Sequence, residues 1–242
     1  MSISILSNSS NHFLRSLSPQ DAEQLQPLLK LVELPSRTVV YKAGDPISHM
    51  YFPYAGIMCS MVGTASGEIV DAGMIGRNSV VDAAAPLDHS IAINEAMVQV
   101  AMTAGTVELG LLKQLTAGSA TLRGGFARHE EMALAQAQQL VACNALHSLE
   151  ERLSRWLLQA RDLLNADALP LTQDFLSQML GVHRSSLTLV ALRLQEAGLI
   201  DYHHGHIQVR DVEALKDVSC ECYDAINAHF RRLIGWSPDL NG

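Results

Sequence analysis

Aromatic residues make up only 5% of the 242-residue chain, so a core must be built from Leu, Val, Ile, Met and Ala. Apolar residues reach 48%, enough for a sizeable interior in one large domain or two small ones. No stretch attains the ~18 uninterrupted apolar residues of a membrane span. The first residues, Met1 to Ser18, are rich in Ser and Asn and lack the basic start and apolar run of a secretory signal, so a cytoplasmic location is expected. The four cysteines, Cys59, Cys143, Cys220 and Cys222, are scattered and contain no Cys-x-x-Cys. Reduced thiols are expected, with no disulfide framework, no metal site and no iron–sulfur cluster. Gly-x-Ser-x-Gly, phosphate-loop and His-Glu-x-x-His patterns are all missing, which argues against an enzyme. Positive charge is also short: the net charge is −8. That weighs against nucleic-acid binding over the whole surface, although a local patch can bind phosphates while an acidic remainder keeps the chain soluble.

The residues that are present fall into two textures. Ser18-Pro19-Gln20-Asp21 reads as the capped start of a short helix ending near Gln26, before Pro27. From Val32 to Met102, short runs rich in β-branched and other apolar residues alternate with turn residues. Strands are expected at Thr38–Tyr41, Met50–Phe52, Ile57–Val62, Ile69–Ala72 and Met97–Val100. Turns are expected at Gly44-Asp45, Gly56, Ala65–Gly67 and Gly76–Asn78. This pattern predicts a β-roll or barrel. Helical periodicity follows: a candidate helix at Thr106–Leu115, then a long one from about Leu122 to His147. Phe126, Ala133, Ala137, Leu140 and Cys143 share one face of the long helix. Its apolar stripe calls either for a second copy of the same helix in a dimer or for ordinary packing within one chain. Another helix spans Leu149–Leu164, burying Leu153, Trp156, Leu157 and Ala160, and a loop follows to Pro170. The organisation expected is α+β: a sensor-like β-roll at 1–115, a dimerisation helix at 116–147 and a C-terminal domain at 148–242.

The most informative segment is Leu171 to Leu194. Thr172 can cap a first helix that packs through Phe175, Leu176 and Met179. Gly181 ends it in a left-handed turn, and Val182 plugs the gap. A second helix then buries Leu187, Val190, Ala191 and Leu194, leaving Arg184, Ser185, Ser186 and Thr188 outward. Short hydrogen-bonding side chains plus one arginine suit entry into a major groove. Gly198 closes that helix. Leu199–Tyr202 and His206–Val209 flank His203-His204-Gly205 as a hairpin, which makes the unit a winged helix. The histidines could ligate a metal, but only His204 and His206 share a strand face, so a wing resting on phosphate is the preferred reading. From 181 to 210 three arginines face two acids, less acidic than the chain as a whole. A final helix is expected over Val212–Leu233, packed on the winged helix.

From Leu17 to about Val218 the chain resembles the Crp/Fnr family of bacterial transcription regulators. The resemblance is strongest at Leu171-Thr172-Gln173, at Gly181 through Ser186, at Leu192 and at Glu196 through Ile200. It implies a cyclic-nucleotide-binding-like β-roll (a jelly roll), a long dimer helix and a winged helix-turn-helix. It also implies a homodimer on double-stranded DNA, with RNA polymerase as a partner. The expected DNA-binding residues are Thr172, Gln173, His183, Arg184, Ser185, Ser186, Thr188 and His204, with Arg184 reading a guanine. The family's glutamate is Ser185 here and a second family arginine is Leu189, so the target sequence can differ. At the cyclic-nucleotide pocket, Gly76-Arg77 and Asn94-Glu95 stand where the family has Gly-Glu and Arg-Ser or Arg-Thr pairs. A carboxylate beside a phosphate is repulsive. No tight binding of cyclic AMP or cyclic GMP, and no cofactor, is therefore expected. The controlling signal, if there is one, is not identified by these residues.

Overall fold

The computed structural model describes residues 5–203 and 205–238. Asn11 caps α1 (His12–Arg15), and Ser18 accepts from the Asp21 amide to cap α2 (Pro19–Leu25), as its sequence predicts. Five antiparallel strands follow: β1 (Lys30–Leu34), β2 (Val39–Tyr41), β3 (His49–Gly63), β4 (Ile69–Ile75) and β5 (Glu95–Glu108). The sheet order is β1-β5-β3-β4, and β2 also pairs with β5.

At 15 and 14 residues, β3 and β5 far exceed an ordinary strand and must bend to wrap a core. Register shifts between Pro53 and Met58 supply the bend. The predicted turn at Gly56 is one of these irregularities. Gly56 lies inside β3 at φ +87°, where a Cβ would stand 2.4 Å from the Ala101 carbonyl oxygen. Strand β5 also runs through Thr106 and Val107, so the helix expected from Thr106 begins later, as α3 (Leu109–Gly118).

Both faces of β3 are covered. Met50, Phe52 and Met58 point into the roll, where Phe13 stacks on Phe126 at 4.6 Å. Ile57, Cys59 and Met61 point outward into a second core. That second core continues through α5 (Leu149–Leu164), α6 (Gln173–Leu180), α7 (Arg184–Glu196) and the wing strands β7 (Ile200–His203) and β8 (His206–Val209). In the segment expected to be a loop, β6 (Ala168–Leu169) adds a third strand beside β8.

The long helix α4 (Ala120–Leu146) is capped by Ser119. Its 27 residues rise about 40 Å. The buried face is Leu122, Phe126, His129, Met132, Gln136, Leu140 and Cys143, so the predicted Ala133 is exposed and Ala137 only half-buried. The C-terminal segment is two helices, α8 (Val212–Val218) and α9 (Cys222–Ile234). Ser219 ends the first, and α9 packs mainly against α4. Among the described residues, no helix is long and apolar enough to cross a membrane.

Candidate nucleic-acid interface

Local rules build the helix-turn-helix. The Thr172 hydroxyl accepts from the Phe175 amide and starts α6. Gly181, at φ +63°, donates to the carbonyls of Ser177 and Gln178 and ends it. Val182 is half-buried against the shared core, and Leu187, Val190, Ala191 and Leu194 form the buried stripe of α7. Two features escape a sequence reading. Arg152 on α5 donates to the carbonyl of Leu180 at 2.5 Å, placing a cation on the negative end of α6. The Gln173 amide donates to the Tyr202 hydroxyl at 3.3 Å, which ties the start of α6 to the wing.

These contacts gather the predicted residues on one face. Arg184, Ser185 and Ser186 are exposed on the first turn of α7, and His183 precedes them without a side-chain cap bond. Thr188 donates to the Gln173 side-chain oxygen at 2.8 Å. A Cβ on Gly205 at the wing tip would touch Thr172 at 3.3 Å, so the wing stands beside the start of α6. His204 lies outside the described residues. Arg184 pairs with Asp174 at 3.0 Å, and both side chains are 64% exposed. Such a pair is worth at most about 1 kcal/mol and is easily exchanged for a phosphate or a base edge. Leu189 and Leu192 lie exposed on the same helix.

The four residues at the family's nucleotide-pocket positions do not converge. A cavity of about 220 Å³ lies between β4 and α4, lined in part by Ser60, Asp82, Asn94, His129 and Gln136. Of the four, only Asn94 lines it, donating to the Ser60 hydroxyl. Arg77 instead donates to the Asp162 carbonyl, Gly76 sits against Leu163, and Glu95 lies in the register of Met61. Among the described residues no lysine or arginine lines the cavity. Burial, with Glu130 nearby, pushes the Asp82 carboxyl up to about 7, and burial pushes His129 down to about 3.

Residues 151–218 match the family described as the Crp-like helix-turn-helix domain. No curated protein sequence matches the chain. Among solved structures it is similar to FixK2 from Bradyrhizobium japonicum, at 14% identity and TM-score 0.68, over 79% of this chain and 98% of that one. A Crp/Fnr-family transcriptional regulator from Thermus thermophilus aligns at 20% identity and TM-score 0.65, over 78% and 98%. The c-di-GMP-responsive global regulator CLP of Xanthomonas campestris aligns at 16% identity and TM-score 0.65, over 80% and 100%. The chain thus carries a Crp-like helix-turn-helix domain at 151–218 and shares the overall fold of those solved structures.

Proposed function

We propose that this chain is a sequence-specific DNA-binding transcription regulator that acts as a homodimer without control by cyclic AMP. The observation that carries the reading is the exposed first turn of α7, where Arg184, Ser185 and Ser186 stand beside Gln173, Thr188 and the wing. A helix N-terminus with free amides and short donors suits both phosphate and base edges. Arg184 reads a base, Thr172, Gln173 and the wing at His204 set the docking on phosphate, and Leu189 faces thymine methyl groups. RNA polymerase is the partner that this kind of regulator would engage, and the cytoplasm is where it would meet DNA.

The dimer rests on α4. Ala127, Glu131, Leu134, Gln138, Val141 and Ala145 recur at alternating four- and three-residue steps along one face. Leu134 is 57% and Val141 71% exposed in the single chain. Apolar residues seven apart on an open seam suit a second α4 in a coiled-coil pairing. Two recognition helices held by that pair would meet half-sites one helical turn apart. A shift of the β-roll against α4 would alter their spacing.

The neutral-to-acidic lining of the 220 Å³ cavity supports the absence of cyclic-nucleotide control, because a cyclic phosphate there would face Asp82 without a lysine or arginine partner. The test is binding to a pool of promoter fragments at several salt concentrations. Arg184→Ala should weaken specific binding about 5- to 150-fold, the equivalent of about 1–3 kcal/mol. Unchanged retention would reject the assignment. Calorimetry with cyclic AMP should show no sub-micromolar binding.

A further inference from the structure

The fold brings together three cysteines and a histidine that are far apart in sequence. Cys143 and His147 lie one turn apart at the end of α4, while Cys220 and Cys222 come from the link into α9. One ligand atom from each lies within 4.8 Å of all the others. The Cys143 and Cys220 sulfurs are 3.5 Å apart, and the Cys222 sulfur is 3.6 Å from His147 Nδ1. Sulfurs about 2.3 Å from a zinc ion at tetrahedral angles stand about 3.8 Å apart, so these are the edges of a coordination tetrahedron. So tight a set fits one ion and not a cubane cluster, whose irons each take a separate thiolate.

The surroundings also suit a metal. The three thiols are 0–3% exposed and form a cluster of their own, apart from both apolar cores. His147 turns Nδ1 inward, and its Nε2 faces Glu221 at 3.2 Å. That carboxylate fixes the ring orientation, as carboxylates behind metal-bound histidines do. Gln139 donates to the Cys222 sulfur at 3.1 Å. Arg155, 2% exposed, places a positive charge near Cys143. It offsets the single negative charge that three thiolates and a divalent ion would carry.

We propose that Cys143, His147, Cys220 and Cys222 form a Cys₃His site for a tetrahedral divalent ion of the zinc class. Binding releases up to three thiol protons and leaves His147 neutral, with its Nε2–H donating to Glu221. No oxidant is involved. The ion ties the C-terminal end of α4 to the start of α9 beside Leu146–Ser148, where α4 hands over to α5. It therefore sets the angle between the long helix and the winged helix.

The experiment uses the full chain purified under reducing conditions. Elemental analysis should give one zinc per chain. Cobalt(II) titration of the chelator-treated chain should give the visible bands of a tetrahedral site and sulfur-to-cobalt charge transfer. Cys143→Ala and Cys220→Ala should reduce bound metal to background with the helical circular dichroism retained, while Cys59→Ala keeps one ion. Glu221→Gln, at an exposed position, should weaken cobalt binding about 10- to 100-fold without altering the fold. Two results would overturn the proposal. One is a reduced, folded wild-type chain that takes up neither zinc nor cobalt. The other is a chain that forms a Cys143–Cys220 disulfide in air but binds no ion when reduced.

Discussion

Replacing Asp82 with asparagine should make the protein more stable at pH 8 than at pH 5 relative to the wild type. Asp82 lies in the cavity beside α4, and one of its carboxylate oxygens is buried with no hydrogen-bond partner. Burial first, and Glu130 second, pushes this carboxyl from its ordinary 3.8 to about 7. Below pH 3.8 the folded and unfolded chains both carry the proton, and Asp82 costs nothing. As pH rises the unfolded chain ionises first, so stability is lost until the folded carboxyl titrates near 7. Each tenfold difference in proton affinity is worth about 1.4 kcal/mol, which gives a penalty of about 2 kcal/mol at pH 5 and about 4 kcal/mol at pH 8. Asparagine does not titrate, and it tolerates the φ of 49° at this position. Its buried amide costs about 1 kcal/mol at every pH. The gain of the variant over the wild type should therefore grow by about 2–3 kcal/mol between the two pH values. His129, pushed down to about 3, has the opposite effect: its stability is lost as pH falls below 6.5. Both proteins carry it, so it cancels in the difference. Urea unfolding of each at both pH values reads the quantity directly. A difference that does not change with pH would show that water solvates Asp82 and that the cavity is wetter than its lining suggests.

Gly56→Ala should destabilise by about 3–5 kcal/mol, because the new Cβ meets the backbone of β5 at 2.4 and 2.6 Å with φ at +87°. Gly67→Ala, with a similar φ but open space, should cost only about 1 kcal/mol, and urea midpoints for the two compare clash with backbone strain. Asp174→Ala frees Arg184 from a half-exposed ion pair, so DNA affinity at low salt should rise by at most about fivefold while the melting temperature barely moves. Leu134→Glu with Val141→Glu places charge on the open α4 seam; light scattering should report one chain in place of two, with circular dichroism unchanged.

The winged helix was the most legible part because short-range rules determine it. The Thr172 cap, the left-handed Gly181 and the period of Leu187, Val190 and Leu194 all act within a turn or two of helix. The β-roll was legible as strands but not in their extent. Gly56 has the local chemistry of a turn, and only long-range pairing with β5 keeps it inside a strand as a bulge. The buried face of α4 was misplaced toward Ala133 because alanine fits a buried or an exposed position equally well. Gln136 and His129, polar in isolation, are buried by the elements packed on them. The Cys/His cluster left only two short pairs in the sequence, Cys143 with His147 and Cys220 with Cys222, and the 77 residues between Cys143 and Cys220 hide that the fold brings them together.

How a signal could cross this molecule follows from where its second core lies. The winged helix does not hang from α4 by a free linker. Trp156 on α5 donates to the buried Asp71 carboxylate of β4 at 3.2 Å, and Met179 on α6 lies near Gln99 of β5. A Cβ on Gly181 would meet Val70 of β4 at 3.0 Å, so the turn of the helix-turn-helix rests on the roll. Close-packed interiors yield by switching between discrete packings, not by stretching. Movement of β4 against α4 must therefore either carry α5 and α6 with it or break the Trp156–Asp71 contact. The first route rotates Arg184 with the roll. The second leaves Asp71 buried and unpaired from the indole, which costs about 1–3 kcal/mol. That cost favours the first route, in which the roll and the helix-turn-helix turn together relative to α4.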